Sequence, residues 1–213
     1  MYQIAHRGFS DLHRDNSMPA FYAAIDYRFD MIELDIQITK DKQIIIFHDT
    51  FIYDNLIKNM NLVDIEELDT DIVTLPHFFK NIDLNEISVY LDVKGDDSIC
   101  KYLHNLLQHV SNKEKIIIGS FNLLILEKMF KLNENYNLGI ITENLMNNEV
   151  LRYYIKKLNI VFVSVHWSIL NCEMIKFLHM KNVLVFSYTC KNNNIKKFIE
   201  QYDIDGIVTN YKL

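Results

Sequence analysis

Chain-breaking residues are scarce: the 213 residues hold five glycines and two prolines. That excludes a flexible Gly/Ser linker, a Pro-rich tract and any collagen-like repeat. Cysteine is equally thin. Cys100, Cys172 and Cys190 are odd in number and far apart, so neither a disulfide framework nor a metal-binding Cys spacing is present. They are expected to be small core residues of a protein kept in a reducing, cytoplasmic compartment. Positive charge is the minority sign, with 22 Lys and Arg against 28 Asp and Glu for a net of −6. A broad basic footprint for nucleic acid is therefore not expected. No apolar run approaches the ~20 residues that span a bilayer. The chain opens without a basic-then-apolar leader, so a signal peptide is not expected either.

What is present is a strand and helix alternation. A hydrophobic share of 49% suits a single domain over 1–213 with a substantial core. Apolar, β-rich runs recur at 2–6, 31–37, 87–93, 115–121, 137–142, 159–165, 182–188 and 205–210. Helical patterns fall between most of them. Ser17 can cap one, with Pro19 in its first turn and FYAAIDYR following. Others run at 97–110, 122–132, 145–157, 168–180 and 192–201. Eight such units imply a parallel sheet closed into a (β/α)8 TIM barrel, near the lower size limit for that fold. An open doubly wound sheet is the alternative, but no Gly-rich loop follows the first strand. Residues 50–86 interrupt the alternation with FIYDNLIKN, an acidic VDIEELD and TLPHFF. They are expected to form a short insertion, or lid, over the barrel mouth.

In such barrels the chemistry sits at the C-terminal ends of the strands. Strand one ends in His6 and Arg7, strand two carries Glu33 and Asp35, and the next carries Asp92 and Lys94. An i, i+2 pair on a strand shares one face. The run QIIIFH at 43–48 follows too closely for a parallel crossover, so the chain must return as a hairpin. A two-residue turn at Asp41-Lys42 would put Asp35 opposite His48. Three carboxylates converging on one cavity repel unless a cation joins them. All-oxygen ligands favour Mg²⁺ or Ca²⁺ over zinc. Arg7 and Lys94 beside a metal suit a phosphate, and two histidines can serve as general acid and base. The combination points to metal-assisted phosphodiester cleavage. Taken singly, each of these residues fits a rim salt bridge or a structural role. His13, His77, His104, His109, His166 and His179 are expected to be structural.

The chain resembles the glycerophosphodiester phosphodiesterase family along nearly its whole length. AHRG at 5–8 matches the family's His-Arg-Gly, DNS at 15–17 its Glu-Asn-Thr, and ELD at 33–35 its Glu-Leu-Asp. TKD at 39–41 and HD at 48–49 match in turn, and DVK at 92–94 stands for a usual Glu-x-Lys. SF at 120–121 resembles the family's Ser-Phe, SYT at 187–189 sits where Trp-Thr is usual, and DGIVTN at 205–210 resembles a closing Asp-Gly-Ile-x-Thr-Asp. The resemblance implies a barrel with one divalent metal on Glu33, Asp35 and Asp92. It implies His6 and His48 as the acid/base pair, and Arg7 and Lys94 as phosphate anchors. The implied substrate is a small glycerophosphodiester, hydrolysed to glycerol 3-phosphate and an alcohol. Asp15 and Asp92 each replace a Glu and are one methylene shorter, which leaves a non-catalytic phosphodiester-binding barrel as an alternative. Arg28-Phe29 and Lys42 stand where glycines are usual. Apolar Phe51, Ile52, Tyr53, Phe78 and Phe79 in the insertion leave a lysophospholipase D-like activity open.

Overall fold

The computed structural model describes residues 1–213. Eight parallel strands close a barrel: β1 (Tyr2–His6), β2 (Met31–Ile38), β7 (Ser88–Val93), β8 (Ile116–Ser120), β9 (Asn137–Thr142), β10 (Phe162–His166), β11 (Leu184–Cys190) and β12 (Gly206–Thr209). Closure is made by β1, which pairs in parallel with both β12 and β2. Helices α1 (Met18–Asp26), α4 (Cys100–Leu107), α5 (Leu123–Leu132), α6 (Asn148–Leu158), α7 (Cys172–His179) and α8 (Asn193–Ile199) connect successive strands and cover the outside. The expected TIM barrel is therefore present, with every expected strand in place. No helix is long and apolar enough to cross a membrane.

Local chemistry explains the helix starts. Ser17 accepts from the Ala20 N–H at 3.4 Å with Pro19 in the first turn of α1. Asn122, Asn147, Asn171 and Asn192 cap α5, α6, α7 and α8 through their side chains. With few glycines available, asparagine also takes left-handed positions, as at Asn112, Asn159 and Asn182. The main core lies between strands and helices. A second layer inside the barrel stacks Ile4, Met31, Tyr90, Phe162 and Phe186 beneath the mouth. Gly139 makes room for that layer: a Cβ there would lie 2.2 Å from the Phe162 ring.

The segment between β2 and β7 departs from expectation in two ways. First, the hairpin register differs by one residue. β3 (Ile44–Ile46) pairs with β2 as 36 with 46 and 38 with 44, so the loop has three residues, Lys40 to Lys42, not two. Lys42 takes φ +70° at the left-handed position this loop needs. The Thr39 hydroxyl holds the loop, donating to Asp41 Oδ1 at 2.6 Å and accepting from the Gln43 N–H at 2.9 Å. Second, 50–86 is not one excursion but divides into a small separate unit and a crossover helix. The hairpin of β4 (Phe51–Ile52) and β5 (Asn55–Leu56) and helix α2 (Leu62–Leu68) pack Ile52, Ile57 and Ile65 onto Ile45 as a separate small core. Asp41 Oδ1 accepts from the Leu62 N–H at 3.0 Å and pins this unit to the hairpin. After β6 (Val73–Thr74), helix α3 (Leu75–Asn81) rejoins the outer layer, its Phe78 edge-on to Phe21 of α1 at 4.9 Å. Helix α3 is thus the ordinary crossover helix of the second unit, disguised in sequence by its shortness.

Candidate active site

The mouth of the barrel encloses a cavity of about 220 Å³. His6, Arg7, Glu33, Asp35, His48, Asp92 and Lys94 all line it, so the structure brings every sequence-predicted site residue together. The other six histidines lie outside it. Register does most of the assembly. In neighbouring parallel strands His6 pairs with Glu33 and Asp35 pairs with Asp92, which sets these groups side by side on the inner face. Beyond His6 the backbone leaves β1 through two left-handed residues, Arg7 at φ +59° and Gly8 at φ +80°. That conformation at Arg7 costs roughly 1 kcal/mol. It turns the Arg7 N–H onto Glu33 Oε2 at 2.9 Å.

His48 arrives by a different route from the one expected. β3 ends at Ile46, and its last backbone bond to β2, from the Phe47 N–H to the Asp35 carbonyl at 2.9 Å, stops one residue short of His48. Instead the Gln37 carboxamide donates to the carbonyls of Phe47 and Asp49, each at 2.8 Å. It clamps the chain on both sides of His48. Gln37 lies two residues from Asp35 on the same face, so alternation alone could have found it. Asn16 and Asn210 were also missed as site residues. Asn16 is buried and donates to Asp35 Oδ2 at 3.0 Å. The Asn210 side-chain oxygen accepts from His6 Nδ1 at 2.7 Å across 204 residues of sequence, a contact only barrel closure creates. His48 Nδ1 is likewise taken, by Asp49 Oδ1 at 2.7 Å. Each ring keeps Nε2 for a ligand.

The charges are unequal. Glu33, Asp35 and Asp92 are buried at 4%, 2% and 6% exposure, and one oxygen from each lies within 4.8 Å of the others. The shorter Asp92 therefore still reaches the cluster. Lys94 Nζ bridges Asp35 at 3.0 Å and Asp92 at 2.5 Å, and Arg7 Nε meets Asp35 at 3.1 Å. Against the cost of burial, Lys94 and Arg7 hold the Asp35 carboxyl below its ordinary range. Burial pushes Asp92 up to about 6. Burial, with Asp35 and Asp92 adding repulsion, pushes Glu33 well above the carboxylate range. Asp92 Oδ1 is buried with no hydrogen-bond partner. Three buried carboxylates short of positive charge, one with an orphan oxygen, fit a hard divalent cation. Burial and the Arg7 charge lower His6 to about 4, leaving its imidazole neutral.

The family model of the glycerophosphoryl diester phosphodiesterases matches residues 6–212. A glycerophosphodiester phosphodiesterase of Caldanaerobacter subterraneus subsp. tengcongensis is 25% identical, covering 97% of this chain and 92% of its own. Among solved structures, a glycerophosphodiester phosphodiesterase from Thermotoga maritima superposes with a TM-score of 0.84 at 22% identity, over 99% of this chain and 94% of that one. An Oleispira antarctica phosphodiesterase, solved with the product sn-glycerol-3-phosphate, gives 0.88 at 18% identity, over 99% and 93%.

Proposed function

Because this chain belongs to the glycerophosphoryl diester phosphodiesterase family, whose members are phosphoric diester hydrolases, we propose that its barrel mouth hydrolyses small glycerophosphodiesters to glycerol 3-phosphate and an alcohol with His6 and His48 as the proton carriers. The convergence of two histidines, each with Nδ1 held and Nε2 free, on one cavity with three carboxylates carries this reading. The product bound to the Oleispira antarctica phosphodiesterase supports the choice of substrate.

Arg7 and Lys94 hold the phosphate. Glu33, Asp35 and Asp92 would hold one Mg²⁺ or Ca²⁺, which would supply Lewis-acid polarisation of the phosphodiester. His6 is neutral, so its Nε2 lone pair is free to act as the base: Nε2 takes the proton of the attacking water as the new P–O bond forms. His48 donates from Nε2 to the alcohol oxygen as the old P–O bond breaks. Gln37 fixes the loop that presents His48, and Asn210 fixes the His6 ring. In this reading the unit packed on Ile45 serves as a short lid beside the mouth. The free thiols Cys100, Cys172 and Cys190 support a reducing, cytoplasmic setting.

The test is release of glycerol 3-phosphate from glycerophosphocholine and glycerophosphoethanolamine after EDTA treatment, with Mg²⁺, Mn²⁺ or Ca²⁺ added back. Restored release is expected. His6→Ala and His48→Ala should each lower turnover by roughly a hundredfold or more. Near-normal turnover in either removes that residue from the mechanism.

A further inference from the structure

The cavity has a second wall that the hydrolytic scheme does not use. It comes from the residues just after β8 and β9 and from β10 and β11, and includes Phe121, Glu143, Ser164 and Tyr188. Three features set it apart. Glu143 lines the cavity but enters no ion pair, whereas Asp35 and Asp92 are both bridged by Lys94. Phe121 and Tyr188 meet edge to face with centroids 6.0 Å apart, and His166 backs Tyr188 at 5.7 Å. Lys94 Nζ already lies 5.2 Å from the Phe121 centroid, so that ring tolerates a cation. Finally, Ser164 Oγ and Tyr188 Oη are buried atoms with no hydrogen-bond partner, and Ser164 is 1% exposed. Buried hydroxyls are normally satisfied, but this wall holds polar atoms that the protein leaves unpaired behind its aromatic surface.

We propose that this wall, through Glu143, Phe121 and Tyr188, is a subsite for a positively charged nitrogen on the leaving alcohol, so that the enzyme selects diesters of ammonium-bearing alcohols. The proposal rests on the hydrolytic reading above. The unpaired Glu143 carboxylate attracts a cation at the cavity's edge, a pull that water partly screens because the residue is exposed. Aromatic faces add to that attraction through their quadrupoles. A neutral polyol leaves Glu143 without a partner, and an anionic alcohol is repelled by it. Tyr188, where a Trp is usual in the family, adds a phenolic oxygen beside the rings, and its proton stays on because burial and the Glu143 charge both oppose ionisation.

The experiment compares kcat/KM for glycerophosphoethanolamine and glycerophosphocholine with that for glycerophosphoglycerol, at saturating divalent ion, in the wild type and in Glu143→Gln. The wild type should favour the cationic diesters by roughly tenfold, and Glu143→Gln should remove most of that ratio, chiefly through KM. Glu143→Lys should push the ratio lower still. Glu143 is exposed, so these variants should keep the wild-type Tm. Equal kcat/KM for cationic and neutral diesters in the wild type, or a ratio unmoved by Glu143→Gln, overturns the proposal. If the wild type cleaves no diester, the hydrolytic reading falls by itself. Calorimetric Kd values for the same diesters then decide the subsite: a cationic preference lost in Glu143→Gln upholds it, and equal affinities overturn it.

Discussion

Asn210→Asp offers a sharp test of how the site sets its base. Asn210 accepts from His6 Nδ1 at 2.7 Å, where the family resemblance leads one to expect an aspartate. A neutral amide oxygen favours the charged ring only weakly, so burial and the Arg7 charge outweigh it and His6 sits at about 4. Replacing the amide by a carboxylate puts unit charges on the order of 4 Å apart, worth about 4 kcal/mol at an effective dielectric of about 20, or ~3 pH units. The cavity is open at one side and already holds Glu33 and Asp35, so screening should leave about half of that. The variant should then titrate His6 near 5.5, roughly 1.5 units higher. The assay is glycerol 3-phosphate release from glycerophosphocholine across about pH 4 to 8. Saturating divalent ion keeps the three carboxylates ionised. The acid limb of kcat/KM should move up by that amount, with the plateau at pH 8 little changed. An acid limb that stays in place would refute both the role of His6 as base and the control of its charge by residue 210. The same shift acts on stability. An unfolded histidine titrates near 6.5 and folded His6 at about 4, so between those values the unfolded chain binds more protons. Stability therefore falls as pH drops through that window, and Asn210→Asp should narrow it.

Other perturbations test other links. Gln37→Leu strands the Phe47 and Asp49 carbonyls; it should cost about 1–3 kcal/mol in urea denaturation and lower kcat more than it raises KM. A variant with wild-type kcat would show that His48 needs no clamp. Gly139→Ala drives a methyl to 2.2 Å from the Phe162 ring, so it should destabilise by roughly 1–3 kcal/mol without touching the mouth; an unchanged Tm would mean the inner layer repacks freely. Mg²⁺ or Ca²⁺ at a hundred times Kd should stabilise the EDTA-treated protein by about 2.7 kcal/mol. Asp92→Asn should abolish most of that thermal shift, and a full shift in this variant would remove Asp92 from the ion's ligands.

Composition and periodicity determined a large part of this protein. Strand runs separated by amphipathic helices imply a parallel barrel, because a parallel strand can be reached only by a crossover and seven crossovers bring the eighth strand round to the first. Polar residues recurring on successive apolar strands, as at His6, Glu33, Asp35 and Asp92, stand out as a set, although each alone also fits a rim salt bridge. That signal lies in their shared position along the strands. Tertiary structure decided what depends on neighbours distant in the chain. The His6–Asn210 contact exists only because β12 closes against β1. His48 reaches the cavity by way of Gln37, not by strand register, because a three-residue loop shifts the hairpin by one position and a one-residue shift turns every side chain over. Helix α3 was hidden inside an apparent excursion, since seven residues carry too few turns to show a period. The far wall of Glu143, Ser164 and Tyr188 was equally invisible: each is an unremarkable residue on its own strand or loop, and only the circular order of the barrel turns the three toward one cavity.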